Sequence, residues 1–169
     1  MKLSNETLSV LKNFASINSG IEFKQGKSIA TMSTGKTVLA KATVPDEFPQ
    51  TFCVYDLNQF LSVHGINKDT ELEFDDKNVI FKAGKNKLKY RKTEKSMIVT
   101  PPEKELKLPS AEISFSLSED EFSSIMKTAA VLQSPNISVE SDGDTVYIVS
   151  SNVQDSSAHQ NSFEVGYRS

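Results

Sequence analysis

The stretch from Leu3 to Ile17 restricts the fold of this chain more than any other, because it is a helix with two unlike faces whose pattern returns later. On a wheel of about 100° per residue, Leu3, Thr7, Val10, Leu11, Phe14 and Ile17 cover one side, with Leu8 and Ala15 at its edge. Asn5, Ser9, Lys12, Asn13 and Ser16 cover the other, and the single acid, Glu6, sits at the margin. A solvated helix ordinarily mixes Glu and Lys at i, i+4, where the pair supports the helix locally. This polar face is instead short-chained, with one cation, which is chemistry suited to lying near an anion. Ser4 is the expected N-cap, and Asn18-Ser19-Gly20 the expected stop.

Beyond the helix, Ile21 to Gln25 and Ser28 to Met32 alternate with period two and read as a hairpin turning at Gly26-Lys27. Thr37 to Val44 reads as the next strand, and Pro45 to Pro49 as a loop, because each proline removes a backbone donor. Thr51 to Tyr55 is a short apolar strand, and Asp56 with Gln59 opens a second helix, Leu57 to His64, stopped by Gly65. Strands follow at Thr70 to Phe74, Val79 to Ala83 and Lys87 to Lys92, with Met1 to Leu3 and Ser96 to Thr100 as further strand candidates. The first hundred residues thus read as strand, helix and three strands, twice over.

Residues 101–110 hold three prolines and alternating charge, the composition of a stiff connector. The pattern then restarts. Ala111 to Leu117 alternates as a strand, and Ser118 with Glu121 forms a capping box flanked by Leu117 and Phe122. A third helix to about Leu132 turns Phe122, Ile125, Met126, Ala129 and Leu132 inward, and leaves Asp120, Ser123, Ser124 and Lys127 outside. Strands are expected at Ile137 to Glu140, Thr145 to Ser150 and Phe163 to Tyr167. Setting Leu3 on Leu117, an offset of 114 residues, brings Ser4 onto Ser118, Leu11 onto Ile125 and Ala15 onto Ala129. A repeat of this length marks a duplicated unit, since solenoid periods are shorter. The expected organisation is α+β: a first domain over 1–100 with two repeat units, a connector over 101–110, and a second domain over 111–169 with one unit and an incomplete remainder.

Composition narrows the function. No apolar run approaches the roughly 20 residues of a membrane span, and with Met1-Lys2-Leu3 running straight into a capped helix no signal-peptide hydrophobic region is expected. The single cysteine, Cys53, sits in an apolar run as a small hydrophobe and can form no intrachain disulfide, which fits a reducing compartment. A net charge of -3 argues against a chain that grips nucleic acid over its whole surface, but allows one that confines its cations to one face.

The block Leu11 to Ile21 closely resembles the first helix of the DNA polymerase sliding clamp of T-even-type bacteriophages, and Tyr55 to Ser62 resembles its second helix. The resemblance runs from Met1 to the end of the chain. It implies a DNA-clamp fold in which three identical subunits of two similar domains close a ring, with continuous sheet outside and helices lining the hole. It implies duplex DNA, bound without regard to sequence, as the threaded partner, and an ATP-driven clamp loader that opens the ring. It also implies tethering of the viral replicative DNA polymerase, a part in late transcription through late-transcription factors, residence in the cytoplasm of the infected bacterial host, and no catalytic centre, cofactor or metal. The family's second domain carries a further unit with a fourth helix that this chain lacks, so the chain is expected to be short of one face of the subunit contact. On the match, Lys12 and Lys127 are carried over as phosphate-facing, Asn5, Ser9, Asn13, Ser16 and Ser124 as polar companions, and Lys2 as a neighbour at the helix start. The competing reading is a monomeric protein-interaction module of the same fold.

A sliding surface must avoid base contacts, which fix position, and needs only weak attraction to phosphates. Sparse cations on short polar faces meet that need. The densest cation cluster lies elsewhere, at Lys82, Lys85, Lys87, Lys89, Arg91, Lys92 and Lys95, where Lys87, Lys89 and Arg91 share one strand face; on a sheet this reads first as a solvated face or a guarded edge. His64 and His159 have no ligand-spaced partner, Ser33-Thr34-Gly35-Lys36-Thr37 lacks the first glycine and the following helix of a phosphate loop, and Asp142-Gly143-Asp144 is a turn without the full calcium-loop pattern.

Overall fold

The computed structural model describes residues 1–104, 110 and 113–167. The chain divides into two compact units, Met1–Leu106 and Lys107–Ser169.

The first unit runs α1 (Asn5–Ile17), β1 (Ile21–Phe23), β2 (Gly26–Met32), β3 (Leu39–Phe48), β4 (Phe52–Val54), α2 (Leu57–Gly65), β5 (Glu71–Phe74), β6 (Asn78–Ala83) and β7 (Asn86–Arg91). Two antiparallel sheets form, in the orders β3-β2-β1-β4 and β5-β6-β7. Strand β4 opens the second repeat, yet it pairs with β1 of the first, Ile21 opposite Val54 and Phe23 opposite Phe52. Reciprocally, the amino group of Met1 donates to the Leu72 carbonyl (2.6 Å) and the Leu72 amide donates back to the Met1 carbonyl (2.7 Å). Each repeat therefore completes the sheet of the other. One core results: the Phe23 ring lies 4.7 Å from both Phe48 and Phe52, Phe60 lies 5.0 Å from Phe81, and Leu11, Phe14 and Leu57 of the two helices are buried with them.

Helix α1 starts at Ser4 as its sequence directs. The Ser4 Oγ accepts from the Thr7 amide (3.2 Å), and the Ser4 amide and hydroxyl donate to Asp46 Oδ2 (2.7 and 2.8 Å). Partial burial works against ionisation of Asp46, but donors from Thr7 and Ser4 overcome it and hold the carboxyl below its ordinary value. Asp46 lies on β3, so the segment Pro45 to Phe48 is strand and not loop. The proline is accommodated because the register slips between Gly26 and Ser28, which face Phe48 and Thr43. That bulge leaves extra β3 residues outside the ladder, where a missing donor costs little.

Three other expectations differ. Ser96 to Thr100 forms no strand: Lys95–Met97 is a single 3-10 turn, and the chain then crosses the end of α1, where Asn18 Nδ2 donates to the carbonyls of Met32 (2.9 Å) and Val99 (3.0 Å). Met1 to Leu3 is held by the Leu72 pair without becoming a regular strand. Gly26, expected in a turn, begins β2 with a φ of 108°.

The second unit holds α3 (Glu119–Val131), β8 (Asn136–Ser141), β9 (Thr145–Ser151) and β10 (Asn161–Tyr167), with sheet order β10-β9-β8. Both arms of the expected capping box form, the Glu121 amide to Ser118 Oγ (3.3 Å) and the Ser118 amide to Glu121 Oε2 (2.8 Å). Of the expected strand Ala111 to Leu117, residues 111 and 112 lie outside the described residues, and 113–117 are irregular. Helix α3 packs on β9 and buries Ile125 and Ala129. Phe122 and Met126 were expected inward, yet they are 55% and 44% exposed. At the 114-residue offset Phe122 matches Leu8, which is half-buried against the two-repeat core of the first unit, whereas Met126 matches the exposed Lys12 and so occupies the outward face; the described residues of the second unit contain no second helix.

Two predictions follow from the packing. A Cβ at Gly20 would stand 2.6 Å from Ile98 Cγ2. Gly20→Ala should therefore lower stability by about 1–3 kcal/mol in denaturant melts, the usual cost of overpacking. Combination with Ile98→Ala should give less than the sum of the two single losses, whereas strict additivity would refute the clash. Second, His64 Nε2 is buried without a partner, and burial lowers its pKa below the ordinary 6.5. The unfolded chain therefore takes up the proton first, so the stability contributed by neutral His64 is complete above about pH 6.5 and is lost as pH falls below it. Melting temperature from about pH 8 to about pH 5.5 should fall more steeply in the wild type than in His64→Leu.

Candidate nucleic-acid interface

Burial of Thr7, Leu11, Phe14 and Ala15 fixes the rotation of α1, and the face that this leaves outward carries Asn5, Ser9, Lys12, Asn13 and Ser16, all exposed. Helix α2 packs against α1. It buries Leu57, Phe60 and His64, and it exposes Asn58, Gln59 and Ser62. The structure thus adds three short polar residues that the sequence reading left out, although the periodicity of Leu57, Phe60 and Leu61 already implied their direction. Much of the donor capacity of this face is turned back on the helices: Ser16 Oγ donates to the Asn13 carbonyl (2.6 Å) and Ser62 Oγ to the Asn58 carbonyl (2.8 Å). What remains is an amide-lined surface with the Lys12 ammonium as its exposed cation and Glu6 at its border.

Lys2 is exposed at the start of α1, but it is engaged, 3.5 Å from Asp69 Oδ1 and 3.9 Å from Glu71 Oε1. Ser124 and Lys127 are exposed on α3, in the second unit. The likeness between the α1 and α3 faces is partial. At the 114-residue offset Met126 falls where α1 has Lys12, Lys127 falls on Asn13, and the first turn of α3 carries Glu119, Asp120 and Glu121.

The large cation cluster lies on other surfaces. Lys82 pairs with Glu73, Lys92 donates to the Asp75 carbonyl, and Lys95 sits 3.1 Å from Glu22 and 3.5 Å from Glu103. Tyr90 Oη donates to the Asp56 carbonyl at the start of α2 (3.0 Å), and its ring lies 5.5 Å from Phe60. Tyr90 and Leu88 therefore face the helices, and Lys87, Lys89 and Arg91 project from the opposite side of the sheet.

A second feature was invisible in the sequence because its residues are far apart. Met32, Lys36, Ile98, Val99, Thr100 and Pro102 line an open, mainly apolar groove of about 460 Å³ in the first unit. The remaining motifs are structural. In the Ser33 to Thr37 stretch, Ser33 Oγ accepts from the amides of Thr37 (3.1 Å) and Val38 (3.0 Å), which turns those donors inward and not toward a phosphate. Cys53 is buried, and burial pushes its thiol up. Among the described residues no group of His, Cys, Asp and Glu is arranged to hold a metal ion, and no helix is long and apolar enough to cross a membrane.

A family model described as DNA polymerase processivity factor matches residues 3–100. The sliding clamp of Escherichia phage RB69 is 34% identical over 159 residues, which cover 92% of this chain and 69% of the relative. The sliding clamp of Vibrio phage KVP40 is 31% identical, covering 98% and 76%. Among solved structures, the proliferating cellular nuclear antigen of Entamoeba histolytica superposes with a TM-score of 0.55 at 14% identity, over 94% of this chain and 70% of that one, a likeness of fold.

Proposed function

The chain belongs to the DNA polymerase processivity factors, the sliding clamps of T4-like phages, and from that membership we propose that its α1–α2 face is the surface past which duplex DNA slides. The observation that carries this reading is the exposed, acid-poor face of α1, in which Lys12 stands among short amides and hydroxyls. Such a face attracts phosphates weakly and has no rigid array of donors to fix a register. In the second unit, Lys127 and Ser124, both exposed on α3, are assigned the same role on their own helix. Lys2, held by Asp69 and Glu71, is the weakest member of the set.

In this reading the chain encircles the duplex as three copies, is loaded by an ATP-driven loader, and tethers the replicative polymerase inside the infected cell without catalysing a reaction itself. It also serves late transcription. The apolar groove at Met32, Ile98, Val99 and Pro102 takes the apolar tail of the polymerase. The family resemblance and the match to two phage clamps support these steps.

Lys12→Glu combined with Lys127→Glu should weaken duplex binding about tenfold at low salt and shorten polymerase runs, with an unchanged melting temperature. Lys2→Glu alone should do much less. Undiminished binding by the double variant would show that another face meets DNA. Solution mass adds a separate check: a stable monomer at tens of micromolar would favour an interaction module over a ring.

Val99→Glu tests the groove. It should abolish polymerase stimulation and leave duplex binding intact, and retained stimulation would remove the groove from the reading.

A further inference from the structure

Asn18 was expected only as part of the stop of α1, and the backbone does not require an asparagine there. Its φ of -152° and ψ of 134° are extended angles that any residue adopts, and the bond that closes the helix runs from its own N–H to the Phe14 carbonyl (3.0 Å). Yet the side chain is buried, at 6% exposure. A buried primary amide must find partners for two donors and an acceptor. Oδ1 accepts from the Gly20 amide (3.1 Å), and Nδ2 donates to the carbonyls of Met32 (2.9 Å) and Val99 (3.0 Å).

Those two carbonyls belong to the two chain segments that line the apolar groove. Met32 ends β2, and Val99 lies in the run from Ile98 to Pro102. One planar amide, with N–H bonds about 120° apart, holds two such acceptors about 5 Å from each other. That is close to the spacing of neighbouring strands, but no ladder exists here. Among the described residues, the run Val99 to Pro102 makes one hydrogen bond, the one from Asn18. Before that run the chain is fixed by the Thr93 amide on the Cys53 carbonyl (3.0 Å) and by Lys95 against Glu22 (3.1 Å). Gly20 supplies the space, since a Cβ there would stand 2.6 Å from Ile98 Cγ2.

We propose that Asn18 is a positioning residue for the groove: its two-donor amide seats the wall from Ile98 to Pro102 beside the end of β2, and so sets the shape that an apolar protein tail enters. Asn18 is not among the lining residues and acts through Met32 and Val99. The inference rests on the reading of the groove as the docking site of the polymerase tail. It also accounts for the residue type. Aspartate keeps an acceptor for the Gly20 amide but loses both donors, and serine can accept at the same turn but carries one donor on a shorter stem.

The test is polymerase stimulation measured against clamp concentration, with the full chain carrying Asn18→Asp, Asn18→Ser or Asn18→Ala, well below the melting temperature. Asn18→Asp and Asn18→Ser should each raise the concentration for half-maximal stimulation about tenfold, as the loss of two hydrogen bonds implies, with the maximal rate and the duplex affinity unchanged. If Asn18→Asp does not fold, the neutral Asn18→Ser decides alone. Ser4→Ala, which removes the cap at the other end of α1, should lower the melting temperature without that rise. Resonances of Met32, Val99 and Thr100 should move in both Asn18 variants and stay in place in Ser4→Ala. Wild-type behaviour of Asn18→Asp and Asn18→Ser, with a defect confined to Asn18→Ala, would reduce Asn18 to shaping the Gly20 turn and overturn the proposal. Unmoved groove resonances, an equal fall in duplex affinity, or an equal rise in Ser4→Ala would overturn it as well. Val99→Glu separates the two readings: retained stimulation there removes the groove itself, whereas abolished stimulation beside an unaffected Asn18→Asp removes only the role of Asn18.

Discussion

The structure of the first unit depends on one exchange: β4 leaves its own repeat to pair with β1, while Met1 reaches back to Leu72. Neither repeat alone has a closed core. The exchange brings Phe52 onto Phe23, and Phe23 in turn packs on Phe48 and Phe60, while Phe52 meets Phe74 and Phe60 meets Phe81, so both sheets and α2 are tied through one aromatic cluster, and Leu11 and Phe14 of α1 share its core. Offset and tilted ring pairs at these distances add to the large apolar area that each ring removes from water. Because the two repeats hold each other, α1 and α2 are fixed against one another.

The second unit shows what the repeat looks like without that partner. Its helix, cap and three strands follow the first unit closely. Yet Phe122 stands exposed, and so does Ile137 on β8, at 45%. In the first unit Phe23, the counterpart of Ile137 at the 114-residue offset, is fully buried beneath β4 and α2. The difference lies in the neighbour and not in the local sequence, since apolar residues fill both positions.

That contrast also explains how far the sequence could be read. Elements controlled by local chemistry were legible: the Ser4 and Ser118 caps, the face of α1, and the period-two strands. The helix of the second unit is legible, but the orientation of Phe122 and Met126 is not: Phe122 lacks the second repeat that half-buries its counterpart Leu8, and Met126 occupies the outward position that Lys12 holds on α1. Pro45 misled for a related reason. A proline removes a donor, but whether the strand needs that donor is decided by the register against β2, which has no local signature. The apolar groove joins Met32 to Ile98 and Val99 across the whole first unit, and only the fold brings them together. Of the proposed DNA-facing set, the residues on α1 could be read from periodicity alone, whereas the ion pairs that engage Lys2 come from a loop and strand some seventy residues away.

The face of α1 is free to be chemically unusual because the helix does not need it. A helix of this length is marginal in water on its own, and most of its stability comes from tertiary packing. Here Leu11 and Phe14 anchor it in the core, Ser4 caps it, Asp46 grips the cap from β3, and Asn18 ties its end to Met32 and Val99. With both ends and one side secured, the helix can omit the Glu–Lys pairs that would otherwise support it. Those acids are the groups that would repel a phosphate backbone. The anchoring of the helix and the chemistry of its outer face are thus two sides of one arrangement: the same contacts that make α1 rigid remove the need for charges that a DNA-facing surface must exclude.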